Sequence, residues 1–117
     1  MTLQHVSLET RPADTEAEVA FWALLGFVQV QPPGELDERA TWVQSGGTQI
    51  HLLHTDEPVV PPEGHVAVVC SGFDAAMAGL AAAGFPVAPR TQYWGAPRAF
   101  TRSPAGHRVE VMAAPPA

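Results

Sequence analysis

The chain has 117 residues, of which 46% are hydrophobic, and a net charge of −6 from 12 acidic and 6 basic side chains. This length predicts one domain with a buried core, and the acidic balance argues against a nucleic-acid surface. No apolar run reaches the ~20 residues of a membrane helix, and the first residues lack the features of a signal peptide. The single cysteine, Cys70, allows no internal disulfide and is predicted to be buried, so we expect a cytoplasmic protein.

The first half of the sequence predicts one helix among four strands. Alternating apolar positions predict a strand over residues 3–8. Thr15 and Glu18 predict a capping box at the start of a helix, and Gly26 predicts its end. Three further strands are predicted, separated by turns rich in Pro and Gly, at about 27–31, 39–44 and 48–54.

The second half predicts the same order of elements. A strand is expected near 65–70, followed by an Ala-rich helix near 73–83 that ends before Gly84. Three strands complete this half, near 86–89, 97–103 and 107–112.

The order of elements is doubled because the sequence itself is doubled. The segment 5–8, His-Val-Ser-Leu, recurs at 65–68 as His-Val-Ala-Val, and other segments recur at a similar offset of about 59 residues. We therefore predict a single α+β domain, 1–117, built from two βαβββ modules in tandem. The modules would span 1–57 and 64–117, joined by a Pro-rich linker at 58–63.

Four potential metal ligands lie at matching positions of the two modules. His5 and His65 stand on the first strands, whereas His51 and Glu110 stand on the last strands, on the face opposite their apolar neighbours. Three imidazoles and one carboxylate are a ligand set that suits a divalent metal ion. One histidine on a strand is more often a polar residue without a metal, but the symmetric placement of all four favours a site.

With this repeat and these four side chains, the sequence resembles the vicinal oxygen chelate superfamily, which includes glyoxalase I, methylmalonyl-CoA epimerase, extradiol dioxygenases and bleomycin resistance proteins. Residues 21–27 are similar to its aromatic-rich helix end and Leu-Gly-Phe segment, and residues 103–110 to its last turn and strand. The resemblance implies that two modules enclose one divalent metal ion (Zn, Ni, Fe, Mn or Co) and that the chain forms a homodimer. It assigns the metal ligands to His5, His51, His65 and Glu110.

The resemblance implies a metal-dependent lyase or isomerase that acts on a small 2-oxo or similar oxygen-chelating substrate by proton transfer. Glu110, the only carboxylate of the set, would be a ligand, a catalytic base or both. Two alternatives stay open. The first is an Fe(II) extradiol-type dioxygenase, although His51 as a fourth ligand argues mildly against it, and the second is a non-catalytic drug-sequestering protein. Whether the metal site lies within one chain or between two chains is also open.

Four side chains of the second half are candidates for binding the substrate. Arg98 and Arg108 would bind an anionic small molecule, and Tyr93 and Trp94 would form one wall of the pocket. For Arg98 and Arg102, a solvated strand edge is an equally good interpretation.

Other polar and aromatic side chains have simpler interpretations. Trp42 would be a second wall of the pocket or, more simply, part of the core. His54 and His107 fall outside the repeated pattern and are predicted to lie on the surface. Acidic side chains such as Glu9 and Glu18 are predicted to be solvated charges or helix caps.

Overall fold

The computed structural model describes residues 1–116, which form two compact units, Met1–Val60 and a second unit that begins at Pro61. The boundary between them falls inside the Pro-rich segment 58–63. Each unit contains one α-helix and four strands, in the order that the sequence predicts. None of the helices in the described part of the chain is long and apolar enough to span a membrane.

The first unit is a four-stranded mixed sheet with one α-helix. Its elements are β1 (His5–Thr10), α1 (Thr15–Ala23), β2 (Val28–Val30), β3 (Ala40–Ser45) and β4 (Thr48–His54). The strands lie in the order β1-β4-β3-β2, with β1 parallel to β4 and the other pairs antiparallel. Because β4 lies between β1 and β3, a side chain on β4 has neighbours on both sides.

The second unit repeats this arrangement. Its elements are β5 (Val66–Val69), α2 (Phe73–Ala82), β6 (Ala88–Pro89), β7 (Arg98–Arg102) and β8 (Arg108–Met112). The strands lie in the order β5-β8-β7-β6, with β5 parallel to β8 and the other pairs antiparallel. The strand that carries Glu110, β8, is therefore an inner strand, like β4 of the first unit.

Strand alternation sends apolar side chains to one face of each sheet. In the first unit, Ile50 and Leu52 of β4 are buried together with Trp22 of α1. In the second unit, Val109 and Val111 of β8 are fully buried. Each such side chain contributes roughly 1.5–3 kcal/mol through burial. The opposite faces of β4 and β8 carry the polar residues between these apolar ones, including His51 and Glu110.

The start of α1 differs from the prediction. Asp14 precedes the helix with φ −98° and ψ −5° and makes no side-chain capping bond, so the predicted capping box is wrong. A short 3-10 helix, Pro12–Asp14, leads directly into α1, so neither Asp14 nor Thr15 has the extended backbone that a cap requires, and the extended residue is Arg11. Glu18 is fully buried, which contradicts its interpretation as a solvated charge or cap. It lies three and four residues before Phe21 and Trp22, on the same helix face.

The predicted fold class is confirmed by the two βαβββ units. Both helices end before a glycine in the left-handed region, Gly26 and Gly84, each with φ +88°. The largest shift is in the first strand, which is predicted over 3–8 and observed over His5–Thr10. Pairing with β4 sets these bounds, because His5 and Thr10 align with Gln49 and His54.

Candidate metal and substrate site

His51 lies at the centre of a stack of three aromatic rings on the first sheet. Its register partners are Ser7 on β1 and Trp42 on β3. The His51 ring is parallel to that of Trp42, with centroids 4.0 Å apart and an interplanar angle of 1°. The ring of His5 is also 4.0 Å away, at 14°. The stack therefore brings two predicted ligands together, and Trp42 lies on the His51 face rather than in the core beneath α1.

The two stacked imidazoles each donate one N–H to a glutamine. His51 Nε2 donates to Gln49 Oε1 at 2.8 Å, and His5 Nδ1 donates to Gln4 Oε1 at 2.8 Å. The amide of Gln49 donates in turn to Gln44 Oε1 at 2.7 Å. These bonds leave a lone pair on His51 Nδ1 and on His5 Nε2. These glutamines are not among the site residues predicted from the sequence, although strand alternation places Gln49 on the same face as His51.

Burial lowers the pKa of His51 below its ordinary value of 6.5, and the charge of His5 lowers it further. His51 is only 8% exposed, so its protonated form loses most of its hydration. The ring is therefore neutral at pH 7. A neutral imidazole can bind a metal ion without first releasing a proton.

The lowered pKa of His51 predicts a loss of stability in acid. The unfolded chain protonates this ring near pH 6.5, whereas the folded chain does so only at lower pH, so protons favour unfolding in this interval. We expect the contribution of His51 to be complete above pH 6.5 and to be lost as the pH falls through the folded pKa. Thermal unfolding in the presence of EDTA, at steps from pH 7.5 to about 4.5, measures this effect.

His51→Gln should unfold at a temperature that depends less on pH over this range than that of the wild type. The matched control is His54→Gln, because His54 is hydrogen-bonded to Thr41 and lies outside the ring stack. Equal pH dependence in His51→Gln and in the wild type would contradict the prediction.

Glu110 forms the centre of a polar cluster on the second sheet. It is 8% exposed, and its register partners are Ala67 on β5 and Phe100 on β7. His65 Nε2 lies 3.2 Å from Glu110 Oε1, and Arg98 Nη1 donates to Glu110 Oε2 at 3.1 Å. The Arg98 side chain is 12% exposed, so the alternative of a solvated strand edge is wrong for this residue.

The hydrogen bonds of His65 define which nitrogen faces Glu110. His65 Nδ1 donates to the backbone carbonyl of Glu63 at 2.9 Å, as in many metal-binding histidines, so the neutral ring carries its lone pair on Nε2. That lone pair faces a carboxylate oxygen at 3.2 Å. Two acceptors at this distance need a shared proton or cation. Two adjacent ligands of a metal ion, each about 2.1 Å from it, would be roughly 3.0–3.4 Å apart.

Arg98 is held in place by three neighbours of its own unit. Its Nε donates to the Thr91 carbonyl at 2.8 Å. Its guanidinium carbon lies 5.4 Å from the ring centre of Tyr93 and 5.7 Å from that of Trp94. The indole of Trp94 is fixed by a bond to the Ala114 carbonyl at 3.0 Å. In this structure Arg98 therefore orients Glu110, whereas direct substrate binding by Arg98, Tyr93 and Trp94 stays a prediction.

Two of the simpler interpretations are wrong. His107 is only 3% exposed and is not a surface residue, and its backbone N–H donates to Ser103 Oγ at 3.2 Å in the turn before β8. Cys70 is half-buried rather than buried. It follows the last residue of β5, and its N–H pairs with the Met112 carbonyl. Neither residue belongs to the polar clusters around His51 and Glu110.

Comparison with known proteins identifies the family. The family model of the Glyoxalase/Bleomycin resistance protein/Dioxygenase superfamily matches residues 2–111. The chain belongs to this superfamily. No protein with a curated function matches the sequence.

Solved structures share the fold of this superfamily member at low sequence identity. A glyoxalase family protein from Bacillus anthracis is 22% identical, with a TM-score of 0.84 over 96% of this chain and 93% of its own. A protein named Oxidase ChaP-H2 is 21% identical, with a TM-score of 0.81 over 100% of this chain and 96% of its own. A lactoylglutathione lyase from Agrobacterium tumefaciens is 20% identical, with a TM-score of 0.71 over 95% of this chain and 92% of its own. At these identities the likeness shows the fold.

The superfamily generally binds a divalent metal. His5, His51 and His65 each donate one ring N–H to a carbonyl oxygen, which leaves the second ring nitrogen of each for another partner. Such second bonds fix the tautomer of a metal-binding histidine. Within either unit, over residues 1–116, no group of three or more His, Cys, Asp or Glu side chains could hold a metal. Each unit supplies two of the four predicted ligands.

Proposed function

We propose that this superfamily member is a divalent-metal-dependent lyase or isomerase that moves a proton on a small 2-oxo or similar oxygen-chelating substrate. The observation that carries the proposal is the pair of His65 Nε2 and Glu110 Oε1, 3.2 Å apart, with His65 Nδ1 donating to the Glu63 carbonyl. A metal ion can take the place of a proton shared by these two atoms, because they lie as far apart as adjacent ligands of one ion.

The proposed ligands of one divalent ion, Zn, Ni, Fe, Mn or Co, are His5 and His51 of the first unit with His65 and Glu110 of the second. When bound, the ion would supply a Lewis acid for the adjacent oxygens of the substrate. Because each unit offers two ligands, one site requires two units. In a homodimer, the second unit can come from the same chain or from a partner chain.

Proton transfer is assigned to Glu110. A carboxylate beside the substrate can take the proton from the carbon next to a carbonyl and return it to a neighbouring atom. Arg98 donates to Oε2 at 3.1 Å and therefore leaves Oε1 as the oxygen nearer to His65. Arg98 acts here as a positioning residue, because its contacts with Thr91 and the rings of Tyr93 and Trp94 fix the direction of the carboxylate.

An oxidase or extradiol-type dioxygenase is the second candidate. The free nitrogen of His51 is Nδ1, which is next to the β-carbon, whereas His5 and His65 offer Nε2. His51 also lies between two rings, each 4.0 Å away. If His51 is not a ligand, then His5, His65 and Glu110 form the two-His, one-carboxylate set of non-haem iron enzymes. Two structural neighbours are named Oxidase ChaP-H2 and Oxidase ChaP-H1.

The proposal is tested by elemental analysis of protein purified without added metal, followed by assays with 2-oxoaldehydes, acyl thioesters and catechols. The wild type should contain a stoichiometric divalent ion that is lost in His65→Ala and retained in the control His54→Ala. His51→Ala separates the two reactions. Loss of the metal supports the lyase or isomerase, whereas retained iron and oxygen consumption with a catechol support the dioxygenase. A metal-free wild type that binds a drug without turnover would support sequestration and overturn both.

A further inference from the structure

The second unit contains a small cavity bordered by arginines. Its volume is about 240 Å³, and its lining includes Arg90, Arg102 and Arg108 around the ring of Phe100. Four of the six basic residues of this acidic chain lie within residues 90–108. We propose that this cavity binds the oxyanion of the substrate, a carboxylate or a phosphate group. The inference rests on the proposed function only in assigning the oxyanion to the substrate.

The positive charge around the cavity has little compensation within the unit. Glu110, the carboxylate on this sheet face, is already paired with Arg98 and His65. Among residues 1–116, Arg90 and Arg108 form no ion pair, and Arg102 donates to the Gly106 carbonyl at 3.0 Å. Three guanidinium groups therefore border a space that a bound anion would neutralise.

Strand register places two of these charges opposite each other. Arg102 on β7 and Arg108 on β8 are direct Cα partners. Like charges at directly opposite positions of an antiparallel pair destabilise the sheet. A bound oxyanion between them would convert this repulsion into two charge-assisted interactions.

The ring of Phe100 contacts two of the arginines and restrains their side chains. The guanidinium carbons of Arg90 and Arg108 lie 5.1 Å and 4.9 Å from the centre of its ring. Contact with an aromatic ring restrains a guanidinium but does not use its N–H groups as hydrogen-bond donors to an oxygen acceptor. The donors therefore remain available for a carboxylate or phosphate, with less side-chain entropy to lose on binding.

The same ring connects the cavity to the predicted ligands of this unit. Phe100 is the register partner of Glu110, and the ring of His65 lies 5.2 Å from that of Phe100 at 66°. An anion in the cavity would thus lie next to the His65–Glu110 pair. This placement predicts a substrate with an oxyanion at one end and its reacting oxygens at the other, so its binding energy can position the reacting end.

The test measures the binding of malonate and of inorganic phosphate by calorimetry, with EDTA present so that no metal site contributes. We expect binding that weakens with added NaCl, and a dissociation constant raised about tenfold or more in Arg90→Met and in Arg108→Met. Methionine retains an apolar contact with Phe100. Arg90 is exposed at the rim, so its variant should fold even if that of Arg108 does not. The control is Arg11→Met, in the first unit.

Equal affinities in the wild type and in both cavity variants, or no binding of either anion at millimolar concentration, would overturn the proposal. Tighter binding of malonate than of phosphate would assign the cavity to a carboxylate, and the reverse order to a phosphate group. If anion binding holds but no metal and no turnover are found, the oxyanion site stands and the proposed reaction fails. Where turnover is found, Arg90→Met should raise KM for the anionic substrate more than for its neutral ester.

Discussion

Replacing Glu110 by Gln is expected to abolish metal binding and to lower the free energy of unfolding by about 3 kcal/mol. The carboxylate is bonded to both His65 and Arg98, and the Glu110 and Arg98 side chains are only 10% and 12% exposed. The amide leaves the Arg98 guanidinium without its counter-charge in a poorly hydrated place, which explains the loss of stability. Denaturant unfolding of the metal-free protein and elemental analysis measure the two effects separately.

The double variant Glu110→Gln, Arg98→Met distinguishes an unpaired charge from a general disruption of the sheet. Removing both partners of a buried ion pair is often nearly neutral, so the double variant should regain most of the lost stability. It should still bind no metal, since the carboxylate is absent. A Glu110→Gln protein with the metal content of the wild type would contradict the role of Glu110 as a ligand. A double variant as unstable as the single one would contradict the explanation by charge.

The sequence is sufficient to predict the doubled fold because two independent signals agree. The internal repeat aligns the two halves, and within each half the change from helical to alternating periodicity separates the helix from the strands. Gly26 and Gly84 end their helices at equivalent positions, with the same φ of +88°. The capping box at Thr15 fails because capping depends on the backbone of the preceding residues. The sequence pattern does not show that a 3-10 helix occupies that place.

The site is only partly predictable, because its side-chain contacts also depend on the folded backbone. Alternation identifies the sheet face of a side chain, and it places His51 and Glu110 correctly on the faces opposite the core. It does not specify which way a long side chain turns within that face. The sequence therefore does not show that Arg98 donates to Glu110. The stacking of Trp42 on His51 depends on the pairing of β3 with β4, which requires the strand register.

If the proposed site is completed between two chains, a mixed dimer is expected to restore metal binding that neither of its chains possesses alone. One chain would carry His5→Ala, which removes a ligand of the first unit, and the other His65→Ala, which removes a ligand of the second. Both histidines are among the more exposed ligands, so these variants should fold. Co-expression with two different affinity tags and sequential purification isolates the mixed dimer. Its metal content and activity are then compared with those of the two parent variants.

Restoration depends on the two proposed ligands that each unit offers. If the first unit of one chain completes its site with the second unit of its partner, both substitutions of the mixed dimer fall in one of the two sites. The other site is then intact, and the dimer should hold about half the metal of the wild type. If each chain completes its own site, every site lacks one ligand, and the mixed dimer should bind no more metal than the parent variants. A monomeric wild type in analytical ultracentrifugation would exclude a site shared between chains.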